Sequence, residues 1–368
     1  MWTYINPVRL ISAEDYVQEI ERINKDSFPA KTLIFCYKWF TSDASIGKLR
    51  SFLPDCRIYD DIEENPSLSS LQKAVLVNVE YQPDHIIAIG GGSVIDTAKV
   101  VRIALYRNSR NVLDLFPPAK KVRNKPYFTA VPTTHGTGSE VTMWATVWDN
   151  ENRKKYSLSD PENYPDTAIY DVALLQSLPL SVAIISTLDA LSHAFEALWN
   201  KNDNPVSDSY AYKAIELIFY NLAGLHENTD IGIREKLLLA SMYAGLAFSN
   251  TRTAAAHSIS YPLSMLYNIP HGIACSITLY PLLRINQVRI PGKIAQVLQL
   301  TKMKSIAAFW EKINHMVSDK MPFQLQEYGI READLNRLAE LSFTRERMDN
   351  NIVELDKDDV LRILKAVY

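Results

Sequence analysis

Asp189 and His193 stand four residues apart in 181-SVAIISTLDALSHAFEALWN-200, an apolar run without proline that reads as a helix. Residues at that spacing share a helix face, so one face presents a carboxylate oxygen and an imidazole nitrogen to the same divalent cation. His257 and His271 extend the set within 253-TAAAHSISYPLSMLYNIPHG-272, where the turn Asn268-Ile269-Pro270 can fold the second histidine back beside the first. One carboxylate and three imidazoles suit Zn²⁺ or Fe²⁺ better than Mg²⁺ or Ca²⁺, which prefer oxygen shells. Against this stands the plainer reading of each histidine as a hydrogen-bonded core residue. His85, His226 and His315 have no comparable neighbours and keep that plainer reading. Glu196, one turn beyond His193, reads as a surface charge in preference to a hydrogen-bond acceptor behind the ligands.

Two loops earlier in the chain could hold a ligand for such a cation to act on. In 84-DHIIAIGGGS-93 an apolar strand ends in three glycines, and 90-GGGSVIDTAKVVRIAL-105 opens a helix directly after it. Glycines let a ligand approach the backbone, and the free amides at a helix start favour an anion such as a pyrophosphate. The spacing is not GxGxxG and no GK[ST] follows, so a tight strand-to-helix turn is the alternative. Thr133, Thr134, Gly136, Thr137, Gly138 and Ser139 form a second loop of small and hydroxyl residues, suited to a polyhydroxylated ligand. The basic run Arg153, Lys154 and Lys155 reads by itself as a solvated turn.

The elements that must position these residues fall into two halves. Strand-like runs at 31–40, 56–62, 84–90 and 127–134 alternate with helical ones at 45–53, 66–82 and 93–105, the pattern of a parallel α/β sheet. Beyond Leu178 and Pro179 the period is helical throughout: 181–199, 208–225, 233–248, 253–267, 272–284 and 293–301, ending in the amphipathic 355-LDKDDVLRILKAVY-368. The expected domains are therefore 1–178, α/β, and 179–368, all-α.

Composition narrows the partners. With 368 residues, 47% of them apolar, the chain can bury two ordinary cores. A net charge of -3 offers no global attraction for nucleic acid or an anionic membrane. Cys36, Cys56 and Cys275 are scattered, without a CxxC pair, which fits a reducing cytoplasm rather than a disulfide framework. No run reaches the roughly 20 apolar residues of a membrane span.

In this order, the strings 88-AIGGGSVIDTAK-99, 131-VPTTHGTGSEVT-142, 188-LDALSHAFEA-197 and 257-HSISYPLSMLYNIPHG-272 resemble the iron-containing (group III) alcohol dehydrogenase family, related in fold to glycerol dehydrogenase and dehydroquinate synthase. The resemblance implies a dinucleotide-binding α/β domain with a parallel sheet, followed by an all-α metal-binding domain. It implies that Asp189, His193, His257 and His271 are the metal ligands. It implies that Gly90, Gly91, Gly92 and Ser93, with Asp96 beside them, hold the pyrophosphate of NAD(H) or NADP(H), and that Thr133, Thr134 and Thr137 border its nicotinamide half. Asn65 and Lys155 also match cofactor-contacting positions, which replaces the solvated-turn reading for Lys155. The activity implied is reversible reduction of a short aldehyde. The metal, Fe²⁺ or Zn²⁺, would serve as Lewis acid in a cleft between the domains, in a homodimer or larger homo-oligomer.

Three positions depart from the family pattern. Tyr37, followed by Lys38, stands where many members carry an aspartate for the adenosine ribose, which leaves NADP admissible beside NAD. Tyr261 stands where many have a second histidine, and a phenol can replace it as proton carrier. Arg252 and Thr253 precede the third ligand in 249-SNTRTAAAHS-258, about one turn from His257 if the helix runs back that far. A guanidinium there can clamp a tetrahedral anion, and this motif, with HSISYPL after it, most resembles the branch that reduces phosphonoacetaldehyde or sulfoacetaldehyde. A neutral short-chain alcohol, a lyase of the dehydroquinate synthase type and a purely structural metal are the competing readings.

Overall fold

A strand buried at every position leaves neither face for water, and His85–Gly90 is such a strand, in the middle of a six-stranded parallel sheet. The computed structural model describes residues 1–27, 31–116, 124–152, 154–344 and 347–368. The described strands are β1 (Arg9–Ser12), β2 (Lys31–Phe35), β3 (Asp55–Tyr59), β4 (His85–Gly90), β5 (Tyr127–Pro132), β6 (Trp144–Asp149), β7 (Lys154–Ser159) and β8 (Thr167–Tyr170). The sheet order is β1-β8-β5-β4-β2-β3, with β6 and β7 forming a separate antiparallel pair.

Successive side chains of a strand point to opposite faces, and both faces carry a core. Leu33, Phe35, Ile86, Ala88, Phe128 and Ala130 pack under α3 (Leu68–Asn78) and α4 (Gly92–Arg107). Ile34, Ile87, Ile89, Val131 and Ile169 pack under α1 (Tyr16–Ser27) and α2 (Ala44–Phe52). After β2 the chain builds outward to β3, then returns to β2's other side as β4. The carboxyl ends of β2 and β4 therefore flank the point where the winding reverses, the place where such sheets hold ligands.

Two local expectations change. The run 31–40 is strand only to Phe35, because Lys38–Ser42 forms a 3₁₀ turn and leaves Trp39 66% exposed. The hairpin β6–β7 occupies a stretch that reads as loop and turn in the sequence. Ala145, Val147 and Leu158 alternate into the same core as α4, which is why those residues pair.

The chain divides into two compact units. The sheet unit comprises Asn6–Thr134 and Ser139–Gln176, and the helical unit Met1–Ile5, His135–Gly138 and Ser177–Tyr368. The short segments 1–5 and 135–138 thus group with the helices rather than with the sheet. The helical unit contains α5 (Leu180–Leu198), α6 (Pro205–Asn221), α7 (Ile231–Thr251), α8 (Ala255–Tyr267), α9 (His271–Ser276), α10 (Leu279–Asn286), α11 (Pro291–Thr301), α12 (Ile306–Val317), α13 (Leu335–Leu341) and α14 (Lys357–Ala366). α5 is buried on every side from Thr187 to Leu198 and packs against α6, α7, α8 and α9, as an all-round apolar helix must.

The packing of α9 on α5 depends on one residue. A Cβ at Gly272 would lie 2.0 Å from the carbonyl oxygen of Ile185, a backbone atom that has no side-chain freedom to yield. Gly272→Ala is expected to cost about 1–3 kcal/mol, read from the urea midpoint. Gly292→Ala, with open space around its Cβ, should hold or gain up to ~1 kcal/mol. Equal midpoints for the two variants would remove Gly272 from this role.

Candidate metal centre and cofactor loops

Three helices meet around Asp189. α5 carries Asp189, His193 and Glu196; α8 carries His257 and Tyr261; α9 begins with His271 and carries Cys275. Asp189, His193 and His257 are 3%, 5% and 5% exposed, and Glu196 and Cys275 are fully buried. His257 Nε2 lies 3.6 Å from Asp189 Oδ1, and His271 Nε2 lies 3.9 Å from the same oxygen. The donor atoms of Asp189, His257, His271 and Cys275 all lie within 4.8 Å of one another, the one such group of three or more among the described residues. His193 stacks between Phe248 and His257, with ring centroids 4.1 Å and 4.5 Å away, and has a backbone hydrogen bond to Gly136.

Glu196 sets the state of His257. Its Oε2 accepts from Nδ1 at 2.5 Å, and Oε1 accepts from the backbone amide of His257 at 3.1 Å. An ionised carboxylate only accepts, so Nδ1 carries a proton, and Nε2, which faces Asp189, is the nitrogen left for a second proton or a cation. Glu196 also bonds the backbone of Ala254, the cap residue of α8, which has no capping side chain of its own. A side chain of α5 therefore caps α8, where the helix dipole favours a negative charge. The expectation that Glu196 is a surface charge is corrected: it sits one turn past His193 on the same face and is buried.

The electrostatics demand a positive charge at this point. Burial pushes Asp189 up, but His193, His257 and His271 outweigh it and hold the carboxyl below its usual range. Burial likewise raises Glu196, and His257 with the backbone bonds brings it below its usual range. Burial lowers His193 to about 4, so it is neutral. Burial alone would lower His257, yet Cys275, Glu196 and Asp189 together hold it well above the usual imidazole range. Two buried carboxylates need either a proton on that ring or a cation. Asp189 Oδ1, His193 Nδ1 and His257 Nε2 are buried with no hydrogen-bond partner. Unpaired oxygen and nitrogen donors at this spacing fit a divalent cation of the Fe²⁺ or Zn²⁺ kind.

Arg252 lies elsewhere than the sequence implies. α7 ends at Thr251 and α8 begins at Ala255, so no helix runs from His257 back to Arg252. Arg252 takes φ 70°, a conformation that side-chain-bearing residues seldom adopt, and its carbonyl accepts from Asn200 Nδ2 at 3.1 Å. It lines a polar cavity of about 510 Å³ with Lys201, Asn202, Asn250 and Asn350. Tyr261 does follow His257 by one turn, half-buried, with its hydroxyl buried.

The cofactor loops assemble within the sheet unit. α4 starts at Gly92 with Gly91 as a cap lacking any side chain; a Cβ on Gly91 would come within 3.1 Å of Thr134, filling a cradle between the two loops. Thr133 donates its amide to the Gly90 carbonyl at 3.1 Å, which ties the loops together. Ser93 accepts from the Asn65 amide at 3.1 Å and is hydrogen-bonded to the Tyr37 hydroxyl. Asp96 is held from inside, accepting from Ser139 Oγ at 2.6 Å and the Thr146 amide at 2.8 Å. Lys155 lies over the Trp148 ring at 4.6 Å, and the Trp148 amide donates to Pro66, beside Asn65. Arg153 lies outside the described residues. Thr137 parts from Thr133 and Thr134, since His135–Gly138 belongs to the helical unit, where His135 Nδ1 lies 3.1 Å from Thr187 Oγ1.

Sequence reasoning missed Cys275 and ranked the acceptor role of Glu196 second. The available signals were helical spacings: Glu196 three residues after His193, and Cys275 four after His271.

Comparison with known proteins places this geometry. Residues 7–172 match the model of the iron-containing alcohol dehydrogenases, and residues 183–368 match that of the C-terminal part of the Fe-containing alcohol dehydrogenase family. The chain is 31% identical to the NADPH-dependent butanol dehydrogenase of Clostridium saccharobutylicum, covering 89% of this chain and 87% of that one. It is 30% identical to the 1,3-propanediol dehydrogenase of Klebsiella pneumoniae, with 89% and 87% covered. The sulfoacetaldehyde reductase of Bifidobacterium kashiwanohense, solved in complex with NAD⁺, superposes with a TM-score of 0.91 at 27% identity over 100% of this chain and 98% of that one. A parallel-sheet unit with a glycine-led helix, a helical unit with a buried Asp and His cluster, and these matches together make the chain a member of the iron-containing alcohol dehydrogenase family, an oxidoreductase that works with NAD(P)(H) and a divalent metal.

Proposed function

We infer that the protein reduces a short aldehyde to its alcohol, reversibly, with NADH or NADPH and a divalent cation held by Asp189, His193, His257 and His271. The observation that carries this reading is the convergence of donor atoms of Asp189, His257, His271 and Cys275 within 4.8 Å of one another, with Asp189 Oδ1 and His257 Nε2 buried without hydrogen-bond partners and His193 stacked on His257. When bound, the cation supplies a Lewis acid and the dinucleotide supplies the hydride.

The chain's own residues bind and orient. Gly90, Gly91, Gly92 and Ser93 offer the start of a 16-residue helix to the pyrophosphate. Asn65, Thr133, Thr134, Thr137 and Lys155 border the rest of the dinucleotide, and Asp96 keeps the turn and the hairpin in register. Near Tyr37 the carboxylate of Glu64 is close enough to raise the phenol further, which favours NAD over a 2′-phosphate. Glu196 fixes the ring and tautomer of His257. Tyr261 Oη, one turn from His257, carries the proton that the alcohol gains.

The aldehyde carries an anionic group in this reading, on the ground that Arg252 and Lys201 line one polar cavity together with a single carboxylate, Asp203. Relatives named for butanol and 1,3-propanediol favour the neutral alternative. The same reading includes a homo-oligomer and a reducing cytoplasm, the latter supported by three free cysteines. Nucleic acid and membrane are not among the partners proposed; no helix among the described residues is long and apolar enough to cross a membrane.

Three outcomes are expected. Chelation should abolish NAD(P)H consumption across phosphonoacetaldehyde, sulfoacetaldehyde, propanal and lactaldehyde, with Fe²⁺ or Zn²⁺ restoring it and far-UV circular dichroism unchanged; loss of fold would make the cation structural instead. Glu196→Gln should weaken the affinity for Zn²⁺ by about 10–100-fold, measured by chelator competition. An unchanged affinity would reduce Glu196 to a helix cap. Arg252→Ala should raise KM for sulfoacetaldehyde far more than for propanal, and equal effects would favour a neutral substrate.

A further inference from the structure

Cys275 joins the donor group from a position that the family resemblance does not assign to the metal. It follows His271 by four residues on α9, so both side chains leave the same helix face. It is fully buried, and its Sγ belongs to the set whose atoms all lie within 4.8 Å of one another. The sulfur stands 3.8 Å from Nδ1 and 3.7 Å from Nε2 of His271. Asp189 Oδ1 and His257 Nε2, both more than nine-tenths buried and without hydrogen-bond partners, belong to the same set.

The geometry points to Cys275 Sγ, which lies beside Asp189, His257 and His271, as a further, thiolate ligand of the cation proposed above. This rests on the metal reading above. The sulfur–metal bond forms as the S–H proton leaves to solvent, with no change of oxidation state. A soft sulfur in an otherwise oxygen and nitrogen set biases the site towards Zn²⁺, Co²⁺ and Fe²⁺ and away from Mn²⁺. Cys36 and Cys56 lie at the end of β2 and in β3, and no donor group of this kind surrounds them among the described residues.

Cobalt(II) titrated into the metal-free full chain separates the two ideas. The expected spectrum has visible d–d bands together with a near-ultraviolet sulfur-to-cobalt charge-transfer band. Cys275→Ser and Cys275→Ala should keep the first and lose the second. Their affinity for Zn²⁺ should fall relative to Mn²⁺ by about tenfold or more, the scale at which even outer partners of a metal count. A wild-type spectrum with d–d bands alone, or a charge-transfer band that survives in both variants, overturns the thiolate and leaves the cation reading standing. Absence of d–d bands overturns both. The wild-type spectrum decides the matter even if a variant fails to fold.

Discussion

Two ionised carboxylates on one buried helix face, Asp189 and Glu196 of α5, are the constraint on which the helical unit depends. A charge removed from water is tolerated only where hydrogen bonds or opposite charges replace its hydration. Glu196 finds them at the start of α8, in the amides of Ala254 and His257 and the Nδ1–H of His257. That arrangement requires a helix to begin there, because only a helix start has free amides to offer. The break between α7 and α8, with Arg252 in an unusual backbone conformation, is the geometric consequence. Asp189, by contrast, keeps Oδ1 without a hydrogen-bond partner and faces imidazoles, which is the basis of the proposed cation site.

The sheet unit solves a related problem with backbone rather than side chains. β4 ends in glycines and the next helix starts directly after them, leaving its first amides free at the point where the sheet's winding reverses, the arrangement on which the proposed pyrophosphate site rests. Around that turn the neighbouring segments are pinned by the protein itself: Thr133 to Gly90, Asn65 and Tyr37 to Ser93, and Asp96 to Ser139 and Thr146. The cradle is held in shape by bonds within this unit, which is the condition for binding a flexible dinucleotide without a large ordering cost.

Much of this architecture was legible because its signals are local. The apolar run of β4 and the glycines after it declare a buried strand and a helix start, and the helical period beyond residue 178 declares the second half. The four-residue spacing of Asp189 and His193 marks half of a ligand set. Misreadings arose where the deciding contact is remote. Glu196 resembles a surface charge until α8 is seen on top of it. The hairpin β6–β7 was obscured by the glycine- and threonine-rich loop before it, although its alternation was present.

By itself, then, the sequence determined which chemistries were available: a carboxylate and three imidazoles at helical spacing, two glycine- and threonine-rich loops, and the order of elements that carry them. Those follow from periodicity and side-chain type, which neighbouring residues define. Only the tertiary structure decided which donors converge, and that they include Cys275 while Arg252 lies off α8. It alone decided the tautomer of His257, because the hydrogen bond that sets it spans 61 residues between helices whose packing no local pattern specifies. Convergence within 4.8 Å is a property of how α5, α8 and α9 pack, and that packing is settled by close contacts such as Gly272 on Ile185.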